Sequence, residues 1–290
     1  MSAPRVGVVG LGNMGSVLAA NLVSAGFDVV THDVAGSGAS PAGATYLESV
    51  GDVARAAAVV VLSLPDGVAC GEVARAVVDA EHRRAAFVVD TSTIGVGAAR
   101  EIDALLSAGG LAYVDAPVSG GVAGARARTL LVMYAGAPSA CVEVEPVLAG
   151  LSDRRRRVGD APGMAQALKL ANNFLSASAL AATSEAVAFG AAVGLDMGLM
   201  LDVLNASSGR SQATADKFPN HVLTARYAAG FSNTLMAKDL HLYLAAVDAE
   251  DAPSVLAPVT AAAWDRFAAT RPGADFTRIY PFVEGSGDLG

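Results

Sequence analysis

The strongest constraint on this chain lies near its start, where VGVVG, LGNMG, SVLAANLVSAG and FDVVTHD follow one another. The first piece is short and apolar, and the second spaces Gly10, Gly12 and Gly15 as GxGxxG. The third reads as a helix closed by Gly26, and the fourth is β-rich and ends on Asp33. A strand, a glycine turn, a helix and a second strand make one unit of a parallel sheet. Further β-rich runs recur with helical segments between them: VVVLSLP from Val59, AFVVDTST from Ala86, AYVDAPVS from Ala112 and TLLVMYAG from Thr129. That alternation predicts an α/β doubly wound parallel sheet covered by helices on both faces. After Gly159 it stops, and the chain reads as helices with short turns to about residue 270. Residues 1–162 are therefore expected to form the sheet domain and 163–290 an all-α domain. A long helix opening within GDAPGMAQALKLANN would join the two, and the turn-rich tail from Arg271 is expected to pack only in part.

With 290 residues, 53% of them hydrophobic, the chain can fill one large core or two ordinary ones. A net charge of -8 argues against an extended basic surface for nucleic acid or anionic lipid. A small anionic partner would need a local positive site. Cys70 and Cys141 form no CxxC or ligand spacing and read as buried thiols in a reducing cytoplasm. The start runs directly into a strand pattern without a signal-peptide layout, so no export is expected. The apolar stretch 163–193 is long enough to span a bilayer, but Lys169, Asn172, Asn173, Thr183, Ser184 and Glu185 interrupt it and favour a buried helix of a soluble protein. No membrane association is expected.

The glycine turn gains meaning from its setting. A strand ending at Gly10 and a helix beginning at Gly15 let backbone N–H groups and a helix N-terminus meet a pyrophosphate. Asp33, 21 residues beyond Gly12, is placed to accept ribose hydroxyls. The sheet is thus of the Rossmann type, with Gly10, Leu11, Gly12, Asn13, Met14, Gly15 and Asp33 as cofactor contacts. A carboxylate repels a 2′-phosphate and VAGSGAS after it offers no cation, so NAD is preferred over NADP. The bland alternative makes Asp33 a turn residue; His32 beside it reads as an adenine-edge or packing residue rather than a ligand.

In such a sheet ligands bind outside the carboxyl ends of the strands. The loops there carry Ser63, Leu64, Pro65 and Asp66, then Ser92 and Thr93, then Ser119, Gly120 and Gly121. Ser92 and Thr93 could reach the nicotinamide side or serve only as helix caps. The SGG of DAPVSGG offers a hydroxyl and two N–H groups suited to a carboxylate, although a plain turn would use the same residues.

GLGNMG, LPDG at 64–67, DTSTIG at 90–95, DAPVSGG at 115–121, GDAPGMAQALKLANN at 159–173 and KDL at 238–240 together resemble the β-hydroxyacid dehydrogenases, in the family's order and over most of the chain. The family includes 3-hydroxyisobutyrate dehydrogenase and tartronate semialdehyde reductase. The resemblance implies an NAD(P)-binding domain, a helical second domain, and homodimers or homotetramers acting on a small carboxylate-bearing substrate. It implies Lys169 as the catalytic lysine and Asn173 as a neighbouring substrate-positioning amide. Ser119, Gly120 and Gly121 would bind the substrate carboxylate, and Phe231 and Asp239 would lie near the substrate. Leu64, Pro65, Thr93 and Lys238 would contact the cofactor, with Lys238 and Asp239 closing the cleft. Three positions depart from the family: Asp160 and Ala165 stand where glycines are usual before the lysine, and Arg128 replaces a glycine after SGG.

Lys169 and Asn173, spaced i and i+4, point the same way from one helix. Oxidising an alcohol removes hydride from carbon and a proton from oxygen, so a basic group must reach the hydroxyl. A lysine is a poor base at neutral pH unless desolvation lowers its pKa. The expected activity is hydride transfer between NAD and a small 3-hydroxy acid/semialdehyde pair, with Lys169 as general acid/base. An imine reductase of related architecture is an alternative, against which the lysine at 169 counts. A non-catalytic dinucleotide sensor is another, and it would not need Lys169 and Asn173.

Arg154 to Arg157 read as a solvated loop or an oligomer contact, with a phosphate site as the sharper option. His82, His221 and His241 share no metal-ligand motif, so no metal is expected. The polar stretch 206–220 reads as a connection whose Arg210 and Lys217 could set substrate choice, and Trp264 as core packing in a late helix.

Overall fold

A computed structural model describes residues 5–285, which divide into two compact units, Met1–Lys169 and Leu170–Gly290. The division falls inside one helix, a few residues beyond the 162/163 border read from the sequence.

The first unit is built on a sheet whose strands are β1 (Arg5–Val9), β2 (Asp28–His32), β3 (Thr45–Tyr46), β4 (Val59–Leu62), β5 (Phe87–Asp90), β6 (Ala112–Asp115), β7 (Val118–Ser119), β8 (Leu131–Ala135) and β9 (Arg154–Gly159). Its order starts β3-β2-β1-β4-β5-β6, all parallel. Each inner strand is buried on both faces, which is why VVVL and FVVD carry no polar alternation before Asp90. On one face Val6, Val8, Val61 and Val89 pack with Leu18 and Leu22 of α1 (Gly15–Ser24) and Val144 and Leu148 of α6 (Pro138–Leu151). On the other, Val60, Leu62, Val88 and Tyr113 pack with α2 (Val50–Ala56), α3 (Gly67–Val78) and α4 (Val96–Ala108).

The sheet is parallel only as far as β6. β8 runs antiparallel to β6 and β7, and β9 is parallel to β8. Two expectations change accordingly. Ser119 is not a loop residue: it ends β7 and pairs with Leu131, while Gly120 and Gly121 turn the chain into α5 (Gly121–Arg126). The four arginines are not a loop either. They form β9, where backbone pairing to Leu131, Val132, Met133 and Tyr134 sets the strand and three of the four side chains stay exposed.

The helix α7 (Met164–Ala192) begins in the first unit and continues into the second. It is long and apolar enough to cross a membrane by length and composition, yet its buried positions include Gln166, Lys169, Asn173 and Ser184. The second unit is helical: α8 (Met197–Asn205), a π-helix over Ala213–Val222, α9 (Asn233–Ala249), α10 (Ala257–Thr270) and α11 (Ile279–Glu284). Trp264, fully buried in α10, donates its indole N–H to the Ala177 carbonyl at 3.3 Å. Phe276, Ile279 and Tyr280 share that core, while Pro272, Gly273, Glu284 and Gly285 stay exposed, so the tail packs in part; residues 286–290 lie outside the described residues.

Candidate active site

The glycine turn is shaped by close approach. A Cβ on Gly15 would lie 2.0 Å from the Gly10 carbonyl oxygen, and one on Gly10 would lie 2.3 Å from that of Ser63. Gly10 also has φ +92, in the left-handed region that favours glycine. Gly12 is different: a Cβ there meets nothing within 4 Å. Gly10 and Gly15 let β1, α1 and the β4 loop pack together, and Gly12 leaves exposed backbone open to a ligand. The first-turn N–H groups of α1 have no intrahelical acceptor and carry the positive end of the helix dipole. Asp33 directly follows β2, with one carboxylate oxygen accepting the Leu11 N–H (2.5 Å) and the other the Ala35 N–H (2.7 Å). Each oxygen keeps a lone pair for a further donor. These residues fit a dinucleotide. His32 is a packing residue, its Nδ1 3.0 Å from the Leu47 carbonyl.

The loops after β4 and β5 join this turn. The Ser92 hydroxyl accepts the Leu64 N–H at 2.9 Å, so Ser92 braces the loop that carries Leu64 and Pro65. Thr93 follows on the half-exposed side. Beneath them lie carboxylates that sequence reasoning passed over. Asp90 accepts the Ser92 N–H (2.9 Å) and the Tyr113 hydroxyl (3.2 Å), and burial pushes its carboxyl up from the ordinary range. Asp115 ends β6 fully buried and accepts the Gln166 N–H at 2.9 Å; burial pushes it up to about 7, against the hydrogen bonds from Gln166 and Gly163. A carboxylate closing an otherwise apolar strand was the available signal. Burial also raises the Cys70 thiol, and both cysteines are free and buried.

Ser119, Gly120 and Gly121 stand where the β7–β8 pairing puts them, Gly120 at φ +130 and Gly121 at φ +65. The Gly120 turn sits against Leu130, whose side chain a Cβ would meet at 3.1 Å. Arg128, the departure from the family glycine, has φ +57, the left-handed conformation that glycine tolerates freely. Its guanidinium donates to the carbonyls of Gly150 (2.9 Å) and Ala149 (3.0 Å), which offsets the backbone cost. The other two departures are also absorbed. Ala165 is buried beside Met133 and Ala135, and Asp160 pairs with Arg157 at 2.7 Å.

Lys169 is only 8% exposed, and Asn173 is 6% exposed one turn later on α7. Within the second unit the Asn173 carboxamide donates to Asp239 at 2.6 Å and accepts from Asn172 at 3.1 Å. Asp239 is buried, and Lys238 lies 3.3 Å from its other oxygen. Phe231 stacks edge-on with Phe276, centroids 5.8 Å apart, as a part of that unit's core. Lys217, from the π-helix, lines a cavity with Asn172, Ser176 and Gln212, whereas Arg210 is exposed. Among the described residues no cluster of His, Cys, Asp and Glu could hold a metal ion.

Two family models match: the NAD-binding domain of 6-phosphogluconate dehydrogenase over residues 5–159, and the NAD-binding region of NADP-dependent 3-hydroxyisobutyrate dehydrogenase over 163–283. A probable 3-hydroxyisobutyrate dehydrogenase of Mycobacterium tuberculosis is 37% identical over 286 residues, covering 94% of this chain and 96% of the relative. The solved structure of M. tuberculosis 3-hydroxyisobutyrate dehydrogenase with L-serine aligns at a TM-score of 0.91 and 34% identity, over 97% of this chain and 99% of that one. An imine reductase of Streptomyces aurantiacus, 18% identical over 96% of this chain and 99% of its own, aligns at 0.64 and shares the fold alone.

Proposed function

Because the chain belongs to the β-hydroxyacid dehydrogenase family, we infer that it is a nicotinamide-dependent oxidoreductase interconverting a small 3-hydroxy acid and its semialdehyde. The observation that carries this reading is the buried Lys169 on α7, one turn before Asn173. The dinucleotide, when bound, supplies the hydride acceptor for oxidation and the donor for reduction. In oxidation the Lys169 amine takes the hydroxyl proton as the carbinol carbon gives up hydride; in reduction the ammonium returns that proton to the carbonyl oxygen. Asn173, its amide orientation set by Asp239 and Asn172, positions the substrate oxygen without adding charge. Ser119, Gly120 and Gly121 bind the carboxylate through the hydroxyl and backbone N–H groups.

NAD is the preferred cofactor on this reading, supported by Asp33 at the ribose position and the lack of a nearby cation in VAGSGAS. The protein is a homo-oligomer, supported by Leu168, Leu175, Ala182 and Phe189, which lie exposed at seven-residue intervals along α7. A stripe of that spacing on one helix face suits a second apolar surface. The two free thiols support a reducing, cytoplasmic setting.

Turnover of NAD and NADP with a panel of 3-hydroxy acids, and of NADH and NADPH with the semialdehydes, tests the reading when Lys169→Ala is run beside the parent. The parent is expected to turn over at least one acid with NAD, and the variant to lose that turnover by a hundredfold or more while still binding NADH. Turnover undiminished in Lys169→Ala would sink the assignment.

A further inference from the structure

Between the glycine that precedes α7 and the lysine that carries the chemistry stands Gln166, with no exposed surface at all. Its carboxamide is bound in three directions. The Nε2 group donates to the Ser92 carbonyl at 2.9 Å, and Oε1 accepts the N–H groups of Ile94 (3.0 Å) and Gly95 (3.2 Å). Its own backbone N–H donates to Asp115 at 2.9 Å. The first-turn N–H groups of a helix need acceptors from elsewhere, and Asp115 supplies one. One residue thus ties the opening turn of α7 both to the end of β6 and to the whole turn from Ser92 to Gly95.

Gln166 and Lys169 are three positions apart, about 60° of rotation and roughly 4.5 Å of rise along the helix. The two side chains leave nearly the same face, so whatever fixes the height and rotation of Gln166 fixes the root of the lysine. The same carboxamide holds the segment that contains Thr93 and braces the Leu64 loop through Ser92. We propose that Gln166 is a positioning residue for the hydride-transfer reaction: it locks the Lys169 turn of α7 in register with the loop after β5. The inference rests on Lys169 being the acid/base. Misplacement of a reacting group by about 1 Å costs on the order of a hundredfold in rate, so the effect belongs in kcat. The side chain of Gln166 bonds the turn from Ser92 to Gly95 and not the Gly10–Gly15 turn, so dinucleotide affinity, which rests mainly on the glycine turn, is expected to change less than kcat.

Gln166→Leu keeps the approximate volume and removes all three side-chain hydrogen bonds. Gln166→Glu keeps the shape and the acceptor, and it recovers a donor toward the Ser92 carbonyl only when protonated. The experiment measures kcat, substrate KM and NADH affinity for the parent and both variants from pH 5 to pH 9, with Lys169→Ala as control. The expected result is a kcat at least tenfold lower in Gln166→Leu, with NADH affinity and KM within threefold of the parent. In Gln166→Glu the ratio of kcat to the parent's is expected to rise as the pH falls. The proposal is overturned if Gln166→Leu keeps kcat within twofold, if its loss is matched by weakened NADH binding, or if Gln166→Glu is as impaired as Gln166→Leu at every pH. Should Gln166→Leu fail to fold, the Glu variant decides: a ratio that rises with falling pH supports the proposal, and a flat one overturns it. Undiminished turnover in Lys169→Ala would count against the acid/base assignment itself, a separate result from any of these.

Discussion

Replacing Asp115 with asparagine removes a titrating group from the carboxyl end of β6 while keeping its shape. The parent carboxyl is fully buried, and its value stands at about 7 against 3.8 for an ordinary aspartate. The unfolded chain releases this proton near pH 3.8, and the folded chain holds it to about 7. Between those values the folded state binds more protons, so raising the pH draws the balance toward unfolding. The contribution is fully present below pH 3.8 and declines up to about 7. At about 1.4 kcal/mol per pH unit of difference, the parent is expected to lose roughly 2–3 kcal/mol through this group between pH 5 and pH 8. In Asp115→Asn the amide oxygen still accepts the Gln166 N–H, while the nitrogen replaces an oxygen that has no hydrogen-bond partner. That buried, unsatisfied nitrogen costs about 1–3 kcal/mol at every pH. The slope is therefore the readout and the level is not. Urea denaturation followed by far-UV circular dichroism at pH 5 and pH 8 measures it. A variant whose stability falls with pH as steeply as the parent's would refute the reasoning.

Gly15→Ala is expected to weaken NADH binding by tenfold or more in a fluorescence titration, because its Cβ would lie 2.0 Å from the Gly10 carbonyl oxygen and the turn must shift. Asp33→Ser should narrow the NAD over NADP preference in kcat/KM by about tenfold, since a desolvated charge repulsion on the order of 1 kcal/mol or more is removed; an unchanged ratio would remove Asp33 from cofactor choice. At Arg128, Ala and Gly both lose the guanidinium contacts, but only Ala keeps a side chain at φ +57. Arg128→Gly is therefore expected to be more stable than Arg128→Ala by about 1 kcal/mol in chemical denaturation.

β1, β2, β4, β5 and β6 were legible because each is an apolar run bounded by turn residues, whereas the two-residue β3 was not; the glycine turn was legible because its neighbours declare a strand before it and a helix after it. Strand direction is a different matter: nothing in TLLVMYAG distinguishes a parallel from an antiparallel partner, and β8 runs the other way. RRRRVG gave no sign of a strand, since β9 is set by backbone pairing to β8 and buries little side chain. The π-helix over Ala213–Val222 contains Pro219, which reads locally as a break. Lys169 and Asn173 could be singled out as polar residues on an apolar helix. Gln166 stood three positions away and was passed over, because its partners lie 51 to 74 residues distant in the chain. A buried amide in a first helical turn is the kind of residue that pattern alone leaves unremarked.

The composition of β9 bears on what lies beyond the sheet. Among the described residues its outer side has no strand partner, so that row of N–H and C=O groups is a template on which a foreign strand could grow. Arg154 to Arg157 make the template hostile to its own kind. A second copy docking rim to rim, in either direction, would set guanidinium against guanidinium. The residues least suited to the middle of a sheet thus keep the sheet from lengthening into an aggregate at that rim.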